Sequence, residues 1–453
     1  MLFPEKILPT LSPFFTAKRW LIAYSGGVDS RVLLDLLVRL KKKGRGSETS
    51  FPELVLVHID HQIHPDSGSW AKQCKNQAEG LGLSVSIHRV DINNPALGSL
   101  EERARRARYD VFESLLTSDD VLMLGHHLDD QIETAFMRLL RGSGSRGIGA
   151  MPQTRSLGTG QLHRPLLAVS RAAIEEYARD MELSWIEDPS NLSSDYDRNF
   201  LRLQVLPLLE RRWPEYRSTV SRAASLSEES AVLNSELAAI DFLSFELKPD
   251  SQSLSIRALQ EVGRERQKNL IRYWLEQRQL SLPSSAQLEC ILDEVVCAGP
   301  DAAPLVQWSG GADARVQVRR FRDSLYVMKA LDAVDSSIGY SWDLKSDLAI
   351  PGVGILSAGK VSGVGIRESL IDSGVGVVVR FRQGGERCQP CGRGSSQTLK
   401  KLLQEYRVET WKRDRIPLIY INDTLAAVVG YWICEGYAAN SEIGVNITCD
   451  SAG

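Results

Sequence analysis

Long apolar runs are missing from this chain: none of its 453 residues sits in a stretch near the ~20 apolar residues that a membrane helix requires, so no membrane-spanning role is expected. The N-terminal segment MLFPEKILPTLSPFFTAKRW carries Pro4, Glu5 and Lys6 where a signal peptide needs an unbroken apolar centre, and the expected compartment is the cytoplasm. Cysteine is scarce. The 7 residues, at 74, 290, 297, 388, 391, 434 and 449, are odd in number and dispersed, which excludes a disulfide framework. Only Cys388-Gln-Pro-Cys391 has ligand-like spacing, and the second pair of Cys or His that zinc needs is not nearby, so two ordinary thiols are expected. An excess of positive charge is also absent, with 54 Lys and Arg against 57 Asp and Glu, so any nucleic-acid contact must rest on local patches. Internal repeats and extended Gly/Ser linkers are lacking; Gly44–Ser50, after Lys41 to Lys43, reads as a short surface loop.

What is present is ordinary for a globular protein, with 43% hydrophobic and 25% charged residues. The length suits roughly three domains. To about Leu203, apolar β-rich runs (Trp20–Tyr24, Leu54–Ile59, Val85–Val90, Val121–Leu124) alternate with helical patterns (Val32–Leu40, Trp70–Leu81, Leu100–Leu116, Leu128–Leu140). Such alternation predicts an α/β domain, a parallel sheet covered by helices on both faces. Gln204 to Ala298 reads as helical, and Gly299 to Gly376 as short strands such as Arg315–Val318 and Ser324–Met328. A small α+β segment closes the chain, with strands at Val375–Arg382, Pro417–Ile421 and Leu425–Val429 and a helix near Gln397–Tyr406. The expected domains are 1–215, a helical 216–335, and a basic 336–453.

Three polar loops fall at strand ends, where open α/β sheets bind ligands. In the first, Leu21-Ile22-Ala23-Tyr24 runs into Ser25-Gly26-Gly27-Val28-Asp29-Ser30, and helical spacing resumes at Val32. A glycine turn opening a helix aims bare N–H groups and the positive dipole end at one point, which suits phosphate. No Gly-Lys-Ser/Thr follows, so this is not a Walker A loop. Asp29 suits a Mg²⁺ ion bridged to phosphate. An ordinary tight turn capped by Ser and Asp is the plainer alternative. The second loop is His58–His64. The third, Gly125-His126-His127-Leu128-Asp129-Asp130-Gln131-Ile132-Glu133-Thr134, gathers histidines and carboxylates at a first helical turn. Helix capping explains one of those acids. His126 suits phosphate contact or proton transfer. Asp130 and Glu133 share a helix face and suit an ammonium group or a metal; zinc lacks a further ligand.

Basic groups recur elsewhere. Arg105 and Arg108 lie one turn apart in Glu101–Tyr109, either a functional pair or a solvated charged face. Arg141-Gly142-Ser143-Gly144-Ser145-Arg146-Gly147 is a basic loop suited to closing over polyphosphate or RNA, or a plain linker. Asn191 and Arg198-Asn199-Phe200-Leu201-Arg202 follow. From Arg380 to Arg415, ten Lys or Arg (380, 382, 387, 393, 400, 401, 407, 412, 413, 415) face four acids, with Phe381, Tyr406 and Trp411 among them. Basic charge interleaved with aromatics is a nucleic-acid footprint, with a solvated face as the alternative.

With these residues assembled, the chain resembles the tRNA(Ile)-lysidine synthases of the N-type ATP pyrophosphatase (PP-loop) superfamily over essentially its whole length. Ser25–Ser30 matches the SGGxDS loop, Gly125–Thr134 the GHHxDDQxET run, and Arg141–Gly147 with Met151-Pro152 the glycine loop after it. His163-Arg164-Pro165-Leu166-Leu167, Asn191 and Arg198–Arg202 fit the end of the catalytic domain. Gly385-Glu386-Arg387, Pro390, Gly392-Arg393, Leu399–Leu402, Trp411 and Pro417-Leu418-Ile419 fit the C-terminal domain of longer bacterial forms, in which the positions of Cys388 and Cys391 vary. Two departures occur: Gln62 and His64 stand where Gly and often Arg follow the His58-Ile59-Asp60-His61 strand end, and Ser193 where Asp often stands.

The resemblance implies ATP and Mg²⁺ as cofactors, and L-lysine and an isoleucine tRNA with CAU anticodon as partners. ATP would adenylate oxygen 2 of the wobble cytidine, and lysine would then displace AMP at carbon 2. It implies nucleotide binding by Ser25, Gly26, Gly27, Val28, Asp29, Ser30 and His58, with Asp29 on Mg²⁺. Arg105 and His126 would stabilise charge during adenylation, while Asp130 and Glu133 would hold lysine, Asp130 taking its proton. Arg141, Asn191, Arg198, Arg202, Arg387, Arg393, Lys400 and Lys401 would contact substrate. The assembly is either a monomer or a homodimer. A tRNA thiolase of the same superfamily would need a cysteine near the loop, and the early one, Cys74, sits in a helical stretch. An amidating synthetase would share only the first motif. A catalytically dead RNA-binding paralogue is at odds with the presence of Asp29, His126 and Asp130.

Overall fold

The computed structural model describes residues 2–44, 51–93, 99–189, 196–245, 252–299, 302–309, 315–371 and 376–451. The expected loop at Gly44–Ser50 falls largely outside them, as does Asn191. The chain divides into two compact units, Met1–Glu236 and Leu237–Gly453.

The first unit alternates β1 (Arg19–Ala23), α1 (Val28–Lys43), β2 (Glu53–Asp60), α2 (Ser67–Gly80), β3 (Ser84–Arg89), α3 (Leu100–Leu115), β4 (Asp120–Met123) and α4 (Leu128–Leu140). A hairpin, β5 (Thr154–Leu157) and β6 (Gly160–His163), and helix α5 (Arg171–Asp180) follow. The sheet order is β3-β2-β1-β4-β6-β5, parallel except that β5 runs antiparallel at one edge. Alternation along β1 explains the two layers. Trp20 and Ile22 join Val32, Leu36 and Leu54 on one face, while Leu21 packs with Val57, Phe112 and Leu122 on the other. Helix α3 starts with a reciprocal cap, Ser99 Oγ accepting from the Glu102 amide and Glu102 from the Ser99 amide. The connection order reverses at β1, whose neighbours are β2 and β4. A crevice therefore opens beyond its carboxyl end, between the loops after β1 and β4.

The hairpin completing the sheet was not expected from sequence. Its strands are four residues each, polar on the outer one, and turn through Gly158 at φ +54°. Gln62 has φ 54° too, the left-handed region where a side chain is strained. That explains why the resemblance puts glycine there. Gln62→Gly is expected to stabilise the protein by about 1 kcal/mol, read as a higher denaturant midpoint at unchanged slope; a lower midpoint would show that the Gln62 side chain makes compensating contacts.

The second unit contains helices Arg264–Gln277 and Ser285–Cys290 packed on an antiparallel sheet built from Ser253–Ser255, Leu305–Ser309, Arg315–Phe321 and Ser324–Lys329. Trp274, Leu270 and Ile271 fill that core. The stretch read as helical thus contributes a strand, Ser253–Ser255, which pairs with Ser324–Tyr326. Beyond it lie a five-stranded and a four-stranded antiparallel sheet. The strands Val377–Arg380, Leu418–Ile421 and Thr424–Val428 and the helix Leu399–Glu405 appear close to their expected places. Gly354–Ser362 pairs along its whole length with Ile443–Ser451. That last strand alternates Ile443, Val445, Ile447 and Cys449, a period-two signal absent from the expected elements.

Candidate active site

Helix α1 begins without a side-chain cap. Its N-cap is Gly27, φ −69° and ψ 165°, so the first-turn amides face the crevice unclaimed by any capping side chain. Gly26, at φ +83°, passes so near Ile186 that an added Cβ would lie 2.5 Å from Ile186 Cδ1. Ser30 Oγ donates to the Gly27 carbonyl at 3.0 Å and lies 3.2 Å from Ser25 Oγ, which also accepts from the Gly27 amide at 3.3 Å. Val28 is buried beneath the turn. The loop's shape is thus set by its own groups. His58, buried at the end of β2, fixes its entry: Nδ1 donates to the Tyr24 carbonyl at 2.8 Å.

The loop after β4 packs on this turn. A Cβ on Gly125 would stand 3.2 Å from the carbonyl of Asp29 and the amide of Ser30, so a side chain here would press on that backbone. His127 then caps α4. Its Nδ1 accepts from the Asp130 amide at 3.3 Å, while Asp130 Oδ2 accepts from the His127 amide at 3.0 Å. Nδ1 being an acceptor, the ring proton sits on Nε2, which lies 3.6 Å from Asp29 Oδ1 and 3.5 Å from Asp130 Oδ2. His127 therefore stands between the carboxylate of the first motif and that of the second. Sequence reasoning named it without giving it a role.

Capping accounts for more of the acids than expected. Asp129 accepts from the Arg171 amide at the start of α5 and from Arg217 Nε, each at 2.8 Å, a structural pairing. Asp130 and Glu133 meet two arginines. Arg198 donates to Asp130 Oδ1 at 2.7 Å and to Glu133 Oε2 at 2.6 Å, and Arg202 donates to Glu133 Oε1 at 2.6 Å and Oε2 at 2.9 Å. Glu133 has 0% exposure while the Arg198 and Arg202 side chains keep 29% and 23%, so this is a half-buried two-by-two ion-pair network. Burial opposes ionisation of Asp130, yet His127 and Arg198 bring its pKa below the usual carboxylate value. Asp29 differs: burial raises its pKa, with His127 opposing, and its Oδ1 is sealed from solvent without a hydrogen-bond partner.

His126 is not open to solvent as a charged group. Its Nδ1 accepts from Arg164 Nε at 3.2 Å, and burial, with Arg164 and Arg198 against Asp130, pulls its pKa down to about 3. Near neutrality its ring is neutral, with the proton on Nε2. Arg164, buried at the end of β6 and held by the Pro152 carbonyl at 2.6 Å, is a further site-shaping residue; its signal was the His163–Leu167 block. Arg105 is exposed, its guanidinium 5.0 Å from the Tyr109 ring centre. Arg141 is exposed as the C-cap residue of α4. Arg387, Arg393, Lys400 and Lys401 belong to the second unit: Arg387 donates to Ser396 O at 3.1 Å, Arg393 pairs with Glu405, and both lysines are exposed.

Three histidines share the neutral state. Burial, aided by Arg108 for His61 and by Arg164 for His163, lowers each pKa to about 4, against about 3 for His126. The unfolded chain takes up these protons near pH 6.5 and the folded chain only near 4 or below, so stability is lost as pH falls through that window. Thermal melts between pH 7.5 and 4.5 are expected to show a falling midpoint that His163→Asn makes shallower. A midpoint independent of pH would contradict it.

A family model for a PP-loop domain matches residues 3–209, one for a TilS substrate binding domain 254–326, and one for a TilS substrate C-terminal domain 377–449. The tRNA(Ile)-lysidine synthase of Coxiella burnetii is 40% identical over 440 residues, covering 97% of this chain and 94% of its own. The chain belongs to the tRNA(Ile)-lysidine synthase family. The synthases of Legionella pneumophila and Methylococcus capsulatus are 38% and 36% identical, over 94% and 93% of this chain and 95% and 93% of their own. As a tRNA(Ile)-lysidine synthase family member the chain is a ligase of tRNA processing with an ATP-binding PP-loop domain. Among the described residues no helix is long and apolar enough to cross a membrane.

Proposed function

We propose that this chain joins L-lysine to carbon 2 of the wobble cytidine in an isoleucine tRNA with CAU anticodon, through an adenylated cytidine formed from ATP with release of pyrophosphate. The observation that carries this reading is the packing of the uncapped α1 terminus on Gly125, which sets a phosphate cradle beside Asp29, His127 and the Asp130–Glu133–Arg198–Arg202 network. Ser25, Gly26, Gly27 and Ser30 hold the departing pyrophosphate. The orphaned Asp29 Oδ1 is the donor a hard cation takes, and no cluster of three or more His, Cys, Asp or Glu ligands occurs among the described residues. That fits Mg²⁺ held by one carboxylate, water and phosphate oxygens, where it would neutralise the phosphate charge. His126 offers its Nε2–H to the phosphoryl oxygens.

Lysine carries both signs, and so does the network. Asp130 and Glu133 take an ammonium group, and Arg198 and Arg202 its α-carboxylate. An ammonium is no nucleophile. The nearby guanidiniums depress the pKa of the bound amine, and Asp130 accepts its proton. The PP-loop region to about residue 215, the middle region to 335 and the basic remainder divide the work between chemistry and tRNA grip, in a cytoplasmic monomer or homodimer.

In the second unit Arg380, Arg382 and Arg393 are paired with Asp423, Asp414 and Glu405, whereas Lys400 and Lys401 are exposed and form no ion pair among the described residues. The free lysines are the phosphate contacts. Lys400→Ala and Lys401→Ala are each expected to lower the slope of log affinity for tRNA against log salt by about one; unchanged slopes would place the RNA elsewhere. The reaction itself is tested with labelled lysine. Label should enter isoleucine tRNA only with ATP and should not enter methionine tRNA. Incorporation without ATP, or none into either tRNA, overturns the reading.

A further inference from the structure

Trp411 belongs to the basic, aromatic stretch that reads as a nucleic-acid footprint, yet in the structure its ring is engaged by the protein itself. The hairpin of Arg315–Phe321 and Ser324–Lys329 explains how. Its strands alternate: Val316, Val318, Leu325 and Val327 enter the Trp274 core, which leaves Arg319, Phe321 and Tyr326 on the opposite face. Arg319 and Tyr326 are direct cross-strand partners there. Trp411, on the single turn Thr410–Arg413, covers that face. Its ring centre lies 5.2 Å from that of Tyr326 at 66° and 6.2 Å from that of Phe321 at 80°, both edge-on. The Arg319 guanidinium stands 5.8 Å from the same ring and donates to Gln317 Oε1 at 3.2 Å. Edge-on rings and a cation over the face are the arrangements an indole quadrupole favours.

Polar contacts repeat the junction. Arg322, in the hairpin turn, donates to the Gln404 carbonyl at 3.5 Å, at the end of the helix that carries Lys400 and Lys401. Arg415 donates to the carbonyls of Asp332 and Gly352. Between the hairpin and the strand Tyr340–Trp342, which pairs with Val377–Val379, residues 330–339 form neither helix nor strand. A connection of that kind leaves two regions free to reorient unless an interface joins them.

Resting on the reading that this unit grips tRNA, we propose that Trp411 is a positioning residue that docks the C-terminal region on the hairpin instead of stacking on a base. The two regions then present one surface to the tRNA. A second grip held at fixed spacing from the first forms at high effective concentration, so freeing the joint loses affinity without removing a phosphate contact.

Full-length Trp411→Ala, Trp411→Phe and Tyr326→Ala are compared with wild type in binding isoleucine tRNA across a salt series. Trp411→Ala is expected to weaken binding by about tenfold or more at an unchanged salt slope, in contrast to Lys401→Ala. Tyr326→Ala, on the other side of the joint, should reproduce the loss. The double variant should bind no more weakly than Trp411→Ala alone, and Trp411→Phe should recover part of the affinity. Lysine incorporation by Trp411→Ala should show a raised KM for tRNA with kcat kept. Wild-type affinity in Tyr326→Ala, or losses that add in the double variant, would make Trp411 an RNA contact and overturn the proposal. Loss of the circular dichroism signal in both Trp411→Ala and Trp411→Phe marks a core residue and overturns it too. If wild type binds the tRNA but incorporates no lysine, the lysidine reading alone fails, and the binding comparison still judges Trp411.

Discussion

Asp29→Asn is expected to slow pyrophosphate release by on the order of 10³ while leaving the protein folded, equivalent to about 4 kcal/mol of transition-state stabilisation. The physical ground is a carboxylate oxygen enclosed without a partner beside the nucleotide loop. In the resting protein that oxygen contributes nothing to stability, and burial already disfavours its charge. Asparagine keeps the shape, removes repulsion from Asp130, and should leave the melting temperature level or higher. The cost appears only when a cation must be bound. Titrating Mg²⁺ at fixed ATP should therefore show a large rightward displacement of the activation midpoint. If Asp29→Asn loses rate with the Mg²⁺ midpoint unmoved, the residue shapes the loop instead of holding the metal.

The second large effect separates two chemical steps. Asp130→Asn is expected to let adenylated tRNA accumulate while lysine transfer falls by about 100-fold or more, read by acid quench and nuclease digestion of the tRNA. Unchanged transfer with adenylation intact would remove Asp130 from the lysine step. Glu133→Gln tests the same network through stability. It leaves Arg198 and Arg202 short of a buried partner, at a cost of about 3 kcal/mol, so its melting temperature should drop by several degrees. Pairing Glu133→Gln with Arg202→Gln should recover part of that loss, since both halves of one contact go together. Full additivity of the two would show that the contact carries no coupling.

The catalytic unit was largely legible because its parallel strands are buried on both sides and write themselves as apolar runs, such as Leu21-Ile22-Ala23 and Val121-Leu122-Met123. The glycine loops were legible for a related reason. Gly26 and Gly125 sit where a side chain would collide with Ile186 or press on the Asp29 backbone, and residue type alone reports such a constraint. What joins the loops was not legible. Arg198 and Arg202 reach Glu133 across 65 and 69 residues, and nothing in local spacing says which cation meets which acid. The same holds for Arg164 on His126, 38 residues away, which makes the histidine a neutral ring and not a cation. Arg105 and Arg108 were an undivided pair in the sequence; only enclosure distinguishes them. In the second unit strands pair over long separations, as Gly354 does with Ser451, and neither of those two nine-residue strands was among the expected elements. The left-handed Gln62 shows the converse, a departure in sequence whose meaning is a backbone angle.

The central claim is that the loop before α1 cleaves a nucleotide between its α and β phosphorus atoms to activate a base oxygen. Chromatography of the nucleotides formed from α-labelled ATP with isoleucine tRNA tests it most directly. The account predicts AMP and pyrophosphate in equal amounts, with label passing through the tRNA before lysine is added. ADP with orthophosphate, or AMP that never visits the RNA, would contradict it.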